Sequence, residues 1–384
     1  MRKRIILLAL LMVGIGKIHA QPHDEKPAQK EELKFKKKEI QSIKIQYSTP
    51  HPDGSGQLLN CSGVLLIPEK KDKNYRIIIA NPPTYFLENT TPSRFFESKN
   101  LNIFKREYET PYLLYFLKQA RQGFAVLVPD YPGFGDSYQK CFHPYMIQKA
   151  LVQSDIDFIK ASQNKMREEG YNFQEEILIE GYSQGAWVST ALAKELENNS
   201  THNIKVKAVS IGGAPENLWQ LLEIAQQKEK FRYPLFYYAY FGYRENGLLP
   251  KLDSTQLSEY ESKAFSYYDG THGGLGIVTG ISRKMKHYFK EELLPLYLQE
   301  DPSSEYSFKK LLLENSVEPW KNEFEMRMYH AKNDKIVFYP IGKDFAEKQK
   351  NLGGNVTFHS VQGGHLTAMI PYFNATIKWF EEMK

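Results

Sequence analysis

The chain of 384 residues is 41% hydrophobic and 25% charged, which provides for a large core and excludes an intrinsically disordered protein. Its net charge is +5, but no nucleic-acid-binding motif accompanies the basic residues, so we expect no nucleic-acid partner. The length allows two domains, although α/β folds of this size are often a single domain. The two cysteines, Cys61 and Cys141, leave one disulfide or two free thiols equally open.

The first 20 residues have the pattern of a secretory signal peptide. A charged start, Arg2-Lys3-Arg4, precedes the apolar run Ile5–Ile15, and Ala20 is suited to precede the cleavage site. The run is shorter than the roughly 20 residues that span a bilayer. We therefore predict a signal peptide at 1–20, a secreted or periplasmic protein, and no stable membrane span after its removal. An uncleaved N-terminal anchor is the alternative. Residues 21–39 are polar and aperiodic, which indicates a flexible lead-in.

Strand-like and helix-like patterns then alternate along most of the chain. The expected strands lie at 40–48, 58–67, 75–80, 124–128, 177–179, 206–211, 324–329 and 356–361. The expected helices lie at 112–122, 147–169, 184–196, 338–351 and 366–383. Such alternation produces right-handed βαβ units. The predicted fold class is therefore α/β, with a mostly parallel central sheet flanked by helices.

The segment from about 217 to 318 interrupts this rhythm. It is rich in Tyr and Phe between 231 and 243, and its pattern is mostly helical. We interpret 217–318 as an inserted, mostly helical cap over the sheet. The predicted α/β core then comprises 40–216 and 319–384.

The pentapeptide Gly181-Tyr182-Ser183-Gln184-Gly185 is the strongest chemical signal. It follows the expected strand 177–179 and begins the expected helix 184–196, which is the strand–turn–helix setting of a nucleophilic serine. The turn is tight, so small residues are needed two positions before and after the serine. The helix N-terminus favours developing negative charge. We predict that Ser183 is a nucleophile, the alternative being an idle serine in a surface turn.

A serine nucleophile needs a base, and the base needs an orienting acid. In the chain order Ser, Asp, His, both lie downstream of the serine. Asp334 and His365 each follow an expected strand, so we place both at the carboxyl edge of the sheet, where α/β folds position reactive groups. Other candidates are less well placed, namely His330 at a strand end, His359 within a strand, Asp344 within a helix and Asp301 in the cap.

An oxyanion needs backbone donors close to the nucleophile. The N–H of Gln184 supplies one, because this residue directly follows the serine. We expect the second donor in the loop Asn81–Phe86, after the third strand. The two prolines of that loop have no N–H, which leaves Thr84 or Tyr85.

A second glycine-rich segment, Asp130–Ser137, follows the strand 124–128, and His143-Pro144-Tyr145 comes shortly afterwards. Its glycines and prolines are typical of a compact loop beside the site. Asp130 precedes Ser183, which does not fit the order of a triad acid. We interpret this segment as structural rather than catalytic.

Taken in order, these motifs resemble the α/β-hydrolase superfamily and, within it, secreted lipases and esterases; they are Asp130–Ser137, His143-Pro144-Tyr145, Gly181–Gly185, Asn333–Val337 and Gly363-Gly364-His365. The resemblance covers roughly residues 40–384. It implies an eight-stranded, mostly parallel sheet and a catalytic triad of Ser183, Asp334 and His365. Two positions depart from the pattern. The Asn81–Phe86 loop lacks the usual His-Gly, and Ala186 stands where many secreted lipases have another glycine.

Together these features predict a secreted serine hydrolase that cleaves carboxylic esters through an acyl-enzyme intermediate. The expected partner is a small-molecule or lipid ester, and the aromatic cap favours an apolar acyl or aromatic part. The mechanism needs no metal and no organic cofactor. A serine peptidase of the same fold and a catalytically inactive hydrolase fold used for binding are the alternatives. The oligomeric state stays open.

Overall fold

The computed structural model describes residues 40–97, 111–228, 233–250, 258–298 and 307–383. The predicted signal peptide at 1–20, the lead-in at 21–39 and Asp301 lie outside these residues. Within the described ranges, no helix is both long enough and apolar enough to cross a bilayer.

An eight-stranded sheet runs through the centre of the described chain, in the order β1-β2-β4-β3-β5-β6-β7-β8. Its strands are β1 (Ile40–Pro50), β2 (Leu58–Pro68), β3 (Asn74–Asn81), β4 (Ala125–Pro129), β5 (Asn172–Tyr182), β6 (Lys205–Gly212), β7 (Glu325–Ala331) and β8 (Val356–Val361). β2 pairs with β1 and β4 in antiparallel register, and every pairing from β4 to β8 is parallel. The predicted mostly parallel sheet is confirmed.

β5 is much longer than the three residues expected from its apolar run. Its first half, from Asn172 to Glu176, is polar and partly exposed, whereas Ile177 to Tyr182 are buried. The polar half still pairs with its neighbours, with Asn172 opposite Asn74 and Glu176 opposite Lys205. Backbone pairing does not need apolar side chains, so hydropathy alone located only the buried half of the strand.

Both faces of the central strands are buried. On β3, Ile77 and Ile79 belong to one core cluster, and Ile78 between them belongs to the other. The first cluster includes side chains of the helices Gln148–Glu168 and Gln184–Asn198, and the second includes side chains of Pro111–Arg121 and Met369–Glu381. Burial on both faces explains the continuous apolar runs, because successive side chains of a strand point to opposite sides. Two further helices, Pro92–Glu97 and Tyr339–Asn351, also cover the faces of the sheet.

Between β6 and β7 the described chain is helical. The helices are Leu218–Gln226, Tyr233–Glu245, Glu259–Phe265, Gly274–Gly280, Arg283–His287, Leu294–Leu298 and Phe308–Glu314, with a π-helical turn at Tyr288–Leu293. The division of the chain into a core and a cap at 217–318 stays a prediction.

A buried charge cluster ties three parts of this helical segment together. The Glu261 carboxylate is fully buried and accepts hydrogen bonds from Tyr240 Oη at 2.8 Å, Arg244 Nη1 at 2.5 Å and Tyr288 Oη at 2.9 Å. The Arg244 guanidinium also lies over the Phe265 ring. A buried carboxylate is tolerated only with such partners, so we assign this cluster a structural role.

Cys61 and Cys141, whose pairing the sequence left open, are both free thiols. Cys61 lies on β2 and is fully buried. Burial raises the pKa of its thiol to about 12, so this sulfur stays protonated at physiological pH.

The carboxyl ends of the parallel strands lie along one edge of the sheet. At this edge the strands end at Asn81 (β3), Pro129 (β4), Tyr182 (β5), Gly212 (β6), Ala331 (β7) and Val361 (β8). The residues predicted to form the site lie in the turns and loops that follow, or, for Gln184, at the start of the next helix. Sites of α/β folds are built at this edge of the sheet.

Candidate active site

Ser183 lies at the sharp turn between β5 and the helix Gln184–Asn198. Its φ is +58° and its ψ is −121°, a conformation that costs energy in any residue with a Cβ atom. Its backbone N–H donates to the Gly212 carbonyl at 2.8 Å, and its own carbonyl accepts from Trp187 N at 3.1 Å. These bonds hold the strained serine at the edge of the sheet, with its side chain partly exposed.

Close packing of the backbone requires the two glycines of the pentapeptide. A Cβ atom on Gly181 would lie 2.2 Å from the Gly185 carbonyl oxygen. A Cβ atom on Gly185 would lie 2.1 Å from the Asn81 carbonyl oxygen. Both distances are far below contact, so any larger side chain would push the turn away from the strand or from the loop after β3.

The structure brings Ser183, His365 and Asp334 into one hydrogen-bonded line. His365 Nε2 lies 2.8 Å from Ser183 Oγ, and His365 Nδ1 lies 2.6 Å from Asp334 Oδ2. His365 and Asp334 are each only 6% exposed. The three residues come from different loops, after β5, β7 and β8, and meet because these strands end at the same edge.

Asp334 is held as a carboxylate. Its Oδ1 accepts the backbone N–H groups of Ile336 at 2.8 Å and Val337 at 2.9 Å, while Oδ2 faces His365. Burial by itself raises the pKa of this carboxyl. The charge and hydrogen bond of His365, the nearby His330 and the Ile336 N–H outweigh burial and leave the pKa below its ordinary value.

The imidazole of His365 is also fixed through its backbone. Tyr182 Oη donates to the His365 carbonyl at 2.5 Å, and the two rings lie 5.3 Å apart between centroids. A Cβ atom on Gly213 would lie 3.2 Å from His365 Cε1, so the chain after β6 also borders the ring. The residue before the serine thus positions the expected base.

The other candidates have partners of their own. His330 is buried 3.7 Å from Asp334 Oδ2, but its Nε2 donates to the Val337 carbonyl at 2.9 Å. His359 lies within β8 and stacks on Tyr329 at 4.8 Å. Asp344 lies on the helix Tyr339–Asn351 and accepts a hydrogen bond from Gln220.

The loop that carries Thr84 and Tyr85 begins against the helix end that carries Gln184. Gln184 is the first residue of its helix, so the helix does not pair its backbone N–H. The Asn81 and Pro82 carbonyls border Gly185, which places the loop after β3 against this helix end. Thr84 Oγ1 lies 3.1 Å from Tyr145 Oη, whereas Tyr85 is buried and its Oη accepts the Tyr131 N–H at 3.1 Å. Which of Thr84 and Tyr85 supplies the second N–H stays a prediction.

The loop Asp130–Ser137 is built around the buried Asp130. This carboxylate accepts hydrogen bonds from Ser62 Oγ at 2.6 Å and from the Ser93 N–H at 2.9 Å. Gly135 has a φ of +58°, and a Cβ atom there would lie 2.4 Å from the carboxylate. These contacts tie Asp130 to β2 and to the helix Pro92–Glu97, and its structural role stays an interpretation.

His143, by contrast, reaches the site from the same part of the chain. Its Nε2 lies 2.8 Å from Gln184 Nε2, and its Nδ1 lies 2.8 Å from the Pro132 carbonyl. Sequence reasoning placed this histidine in a structural loop and missed its contact with the residue after the serine. The only signal was its nearness to the glycine-rich segment, which names no partner.

Aromatic side chains join the helical segment to this region. Tyr238 stacks on Tyr145 at 4.4 Å and on Tyr268 at 5.1 Å, and lies 5.2 Å from Phe86. The three tyrosines are at most 9% exposed. They therefore pack against one another, so these three side chains give no support to an apolar acyl or aromatic part of the substrate.

Clusters of three or more His, Cys, Asp or Glu side chains suited to a metal ion are absent from the described part of the chain.

No curated protein sequence matches the chain. Residues 99–232 match the family model described as secretory lipase.

Solved structures with similar folds are numerous. A putative hydrolase from Legionella pneumophila is 19% identical with a TM-score of 0.72, over 89% of this chain and 88% of that one. The rice cell wall degrading esterase LipA from Xanthomonas oryzae is 18% identical with a TM-score of 0.72, over 88% and 89%. Candida antarctica lipase A is 18% identical with a TM-score of 0.59, over 87% and 78%. The chain has the α/β-hydrolase fold, and it resembles secreted lipases and esterases.

Proposed function

We propose that this protein is a secreted serine hydrolase that cleaves carboxylic esters through an acyl-enzyme intermediate. The observation that carries the proposal is the line of hydrogen bonds from Ser183 Oγ through both ring nitrogens of His365 to Asp334, at 2.8 and 2.6 Å. The match of residues 99–232 to the secretory lipase family supports an ester, rather than an amide, as the bond that is cleaved.

In the first step Ser183 Oγ attacks the ester carbonyl carbon while His365 Nε2 takes its proton. The Ile336 and Val337 N–H groups occupy Asp334 Oδ1, so Oδ2 is the oxygen that receives His365 Nδ1–H. This arrangement holds the neutral imidazole with its Nε2 lone pair toward the serine. It also stabilises the imidazolium once the proton has moved.

The tetrahedral oxyanion then accepts hydrogen bonds from the backbone N–H of Gln184 and from that of Thr84 or Tyr85. Loss of one such donor typically costs about 2.7–4 kcal/mol of transition-state stabilisation. Collapse of the intermediate expels the alcohol, which takes the proton from His365. A water molecule activated by His365 next attacks the acyl-enzyme, and the carboxylic acid leaves as Ser183 regains its proton.

We also propose that 217–318 caps the sheet and that residues 1–20 are a cleaved signal peptide. The helices between β6 and β7 and the packing of Tyr238 on Tyr145 support the first proposal. The secretory character of the matching family supports the second.

A fluorophosphonate probe tests the nucleophile. The wild type and a Ser200→Ala control, in which an exposed serine just beyond the same helix is removed, should label equally. Ser183→Ala should not label. A wild type that stays unlabelled, or a Ser183→Ala variant that labels as well as the wild type, would contradict the proposal.

The substrate class is tested with p-nitrophenyl esters of increasing chain length beside peptide p-nitroanilides. We expect ester hydrolysis, with a loss in kcat of about 10⁶-fold in Ser183→Ala. Cleavage of the peptides without the esters would identify a serine peptidase. Absence of both reactions, together with no probe labelling, would identify an inactive hydrolase fold used for binding.

A further inference from the structure

The two hydrogen bonds of the His143 ring determine which of its nitrogens carries the proton. The Pro132 carbonyl can only accept a hydrogen bond, so the contact of 2.8 Å requires a proton on Nδ1. The Gln184 side-chain nitrogen can only donate, so its contact of 2.8 Å requires a lone pair on Nε2. Both contacts specify the same neutral tautomer, and each satisfies one ring nitrogen.

The surroundings keep His143 in that form. The residue is 4% exposed, and burial lowers the pKa of its imidazole to about 4, although the bond to the Pro132 carbonyl acts in the opposite direction. The ring lies 5.5 Å from Tyr131 and 5.6 Å from Tyr238 between centroids. The His143 imidazole is therefore uncharged near neutral pH and accepts a hydrogen bond from Gln184.

The position of His143 depends on the helical segment as well as on its own loop. Tyr243 Oη donates to the Met146 carbonyl at 3.1 Å, and Asn246 Nδ2 donates to the Phe142 carbonyl at 3.2 Å. On the other side, a Cβ atom on Gly133 would lie 2.6 Å from the His143 backbone nitrogen. These contacts therefore fix the backbone on both sides of His143, from which the imidazole extends to Gln184.

We propose that His143 is a positioning residue for the oxyanion site, acting through the side chain of Gln184. This inference rests on the proposed function, in which the Gln184 N–H is an oxyanion donor. Gln184 begins a helix and has no preceding helical turn to restrain it. Its side-chain bond to His143 supplies that restraint and orients the peptide N–H toward the carbonyl oxygen of the substrate. A catalytic donor must be held within about 0.5 Å of its productive position.

Two substitutions of His143 separate this role from simple packing. His143→Gln puts an amide oxygen near the position of Nε2, where it accepts from Gln184. His143→Asn reaches only far enough to keep the bond to the Pro132 carbonyl. We expect His143→Asn to lower kcat by about tenfold to a hundredfold with KM changed less than about twofold, since complete loss of an oxyanion donor costs about 10²–10³-fold. We expect His143→Gln to recover most of that loss at a similar melting temperature.

A double-mutant cycle links the effect to Gln184. Gln184→Met keeps the length of the side chain and removes its donor, so it should lower kcat as His143→Asn does. If both changes break one contact, the double variant should be no slower than the slower single variant. Multiplicative losses, or equal kcat in His143→Asn and His143→Gln, would overturn the proposal.

Histidine ¹⁵N NMR of the full-length protein gives a readout that does not depend on turnover. Between about pH 6 and 8, Nδ1 of His143 should be protonated and Nε2 should not, and the Gln184 amide resonance should shift in His143→Asn more than in His143→Gln. A proton on Nε2 would overturn the assignment. Failure of the proposed function would appear differently, as a wild type in which the fluorophosphonate probe leaves Ser183 unlabelled.

Discussion

Two buried carboxyl groups close to the Ser183 turn have pKa values shifted in opposite directions. Asp334 has three hydrogen-bond donors, from His365, Ile336 and Val337, and its pKa lies below the ordinary value. Glu180, three residues before Ser183 on β5, has Gln119 Nε2 at 2.9 Å on one oxygen and no partner on the other. Burial raises the pKa of Glu180 to about 8, and the bond from Gln119 offsets only part of this rise.

Burial is therefore not what makes Asp334 an ion, because Glu180 is at least as buried. The hydrogen-bond donors and the charge of the facing imidazole make the difference, because His365 supplies both to Asp334 whereas Glu180 has a single amide donor. Glu216, fully buried with neither oxygen bonded, follows the same rule, and burial raises its pKa to about 8. Of these three buried carboxyl groups, only Asp334 faces an imidazole, and it is also the one with three donors, whereas burial favours the neutral form of Glu180 and Glu216.

The largest expected difference in kcat comes from changing Asp334 and Glu180, one at a time, to their amides. Asp334→Asn should lower kcat by about 10⁴-fold, because the amide no longer selects the imidazole tautomer whose Nε2 faces Ser183. Glu180→Gln should change kcat by less than about threefold, because it replaces one neutral group with another. Steady-state kinetics on a p-nitrophenyl ester checks both. Similar losses in the two variants would show that the charge of Asp334 is not what matters.

A second test uses pH and stability. The pKa of Glu180 is about 8 in the folded protein against an ordinary value of 4.5, so folding favours its protonated form. This contribution is fully present below the ordinary pKa and is lost as pH rises through about 8. Between about pH 5 and 8 the unfolding free energy of the wild type should therefore fall more steeply than that of Glu180→Gln, by up to about 1.4 kcal/mol per pH unit.

Urea unfolding at several pH values measures that difference. Glu175→Gln is the matched control, because Glu175 lies on the same strand but is exposed. Its stability should follow the wild type at every pH. Parallel curves for the wild type and Glu180→Gln would mean that Glu180 is ionised in the fold.

Much of this arrangement was predictable because its signals are local. A run such as Ile77–Ala80 is apolar at every position since both faces of β3 are buried, and that pattern alone predicts a central strand. Ser183 is marked by a strand before it, a helix after it and two glycines that the packing requires. Asp334 and His365 follow from chain order and from the rule that parallel strands end at one edge.

The missed features depend on contacts between distant parts of the chain. His143 and Gln184 are 41 residues apart, and their bond depends on the Pro132 carbonyl, which holds the imidazole, and on Tyr243 of the helical segment, which holds the nearby backbone at Met146. No periodicity encodes such a contact. The choice between Thr84 and Tyr85 depends on the orientation of one peptide plane, which residue types do not determine. The two neutral carboxyl groups escaped notice because their pKa depends on burial and on the shortage of donors in the fold, neither of which residue types reveal.

The smallest expected effect concerns the second histidine beside Asp334. His330 lies 3.7 Å from Asp334 Oδ2, yet its Nε2 donates to the Val337 carbonyl, and burial lowers the pKa of its imidazole despite the nearby carboxylate. His330→Leu leaves that carbonyl without its donor, which should cost about 1–3 kcal/mol of stability. His330→Gln, whose amide can replace the donor, should recover part of it. Because His365, Ile336 and Val337 still hold Asp334 in this variant, kcat of His330→Leu should stay within about fivefold of the wild type, as expected for about 1 kcal/mol. A loss approaching that of Asp334→Asn would make His330 part of the catalytic machinery and would show that the donors and the charge supplied by His365 are not enough to hold Asp334 as a carboxylate.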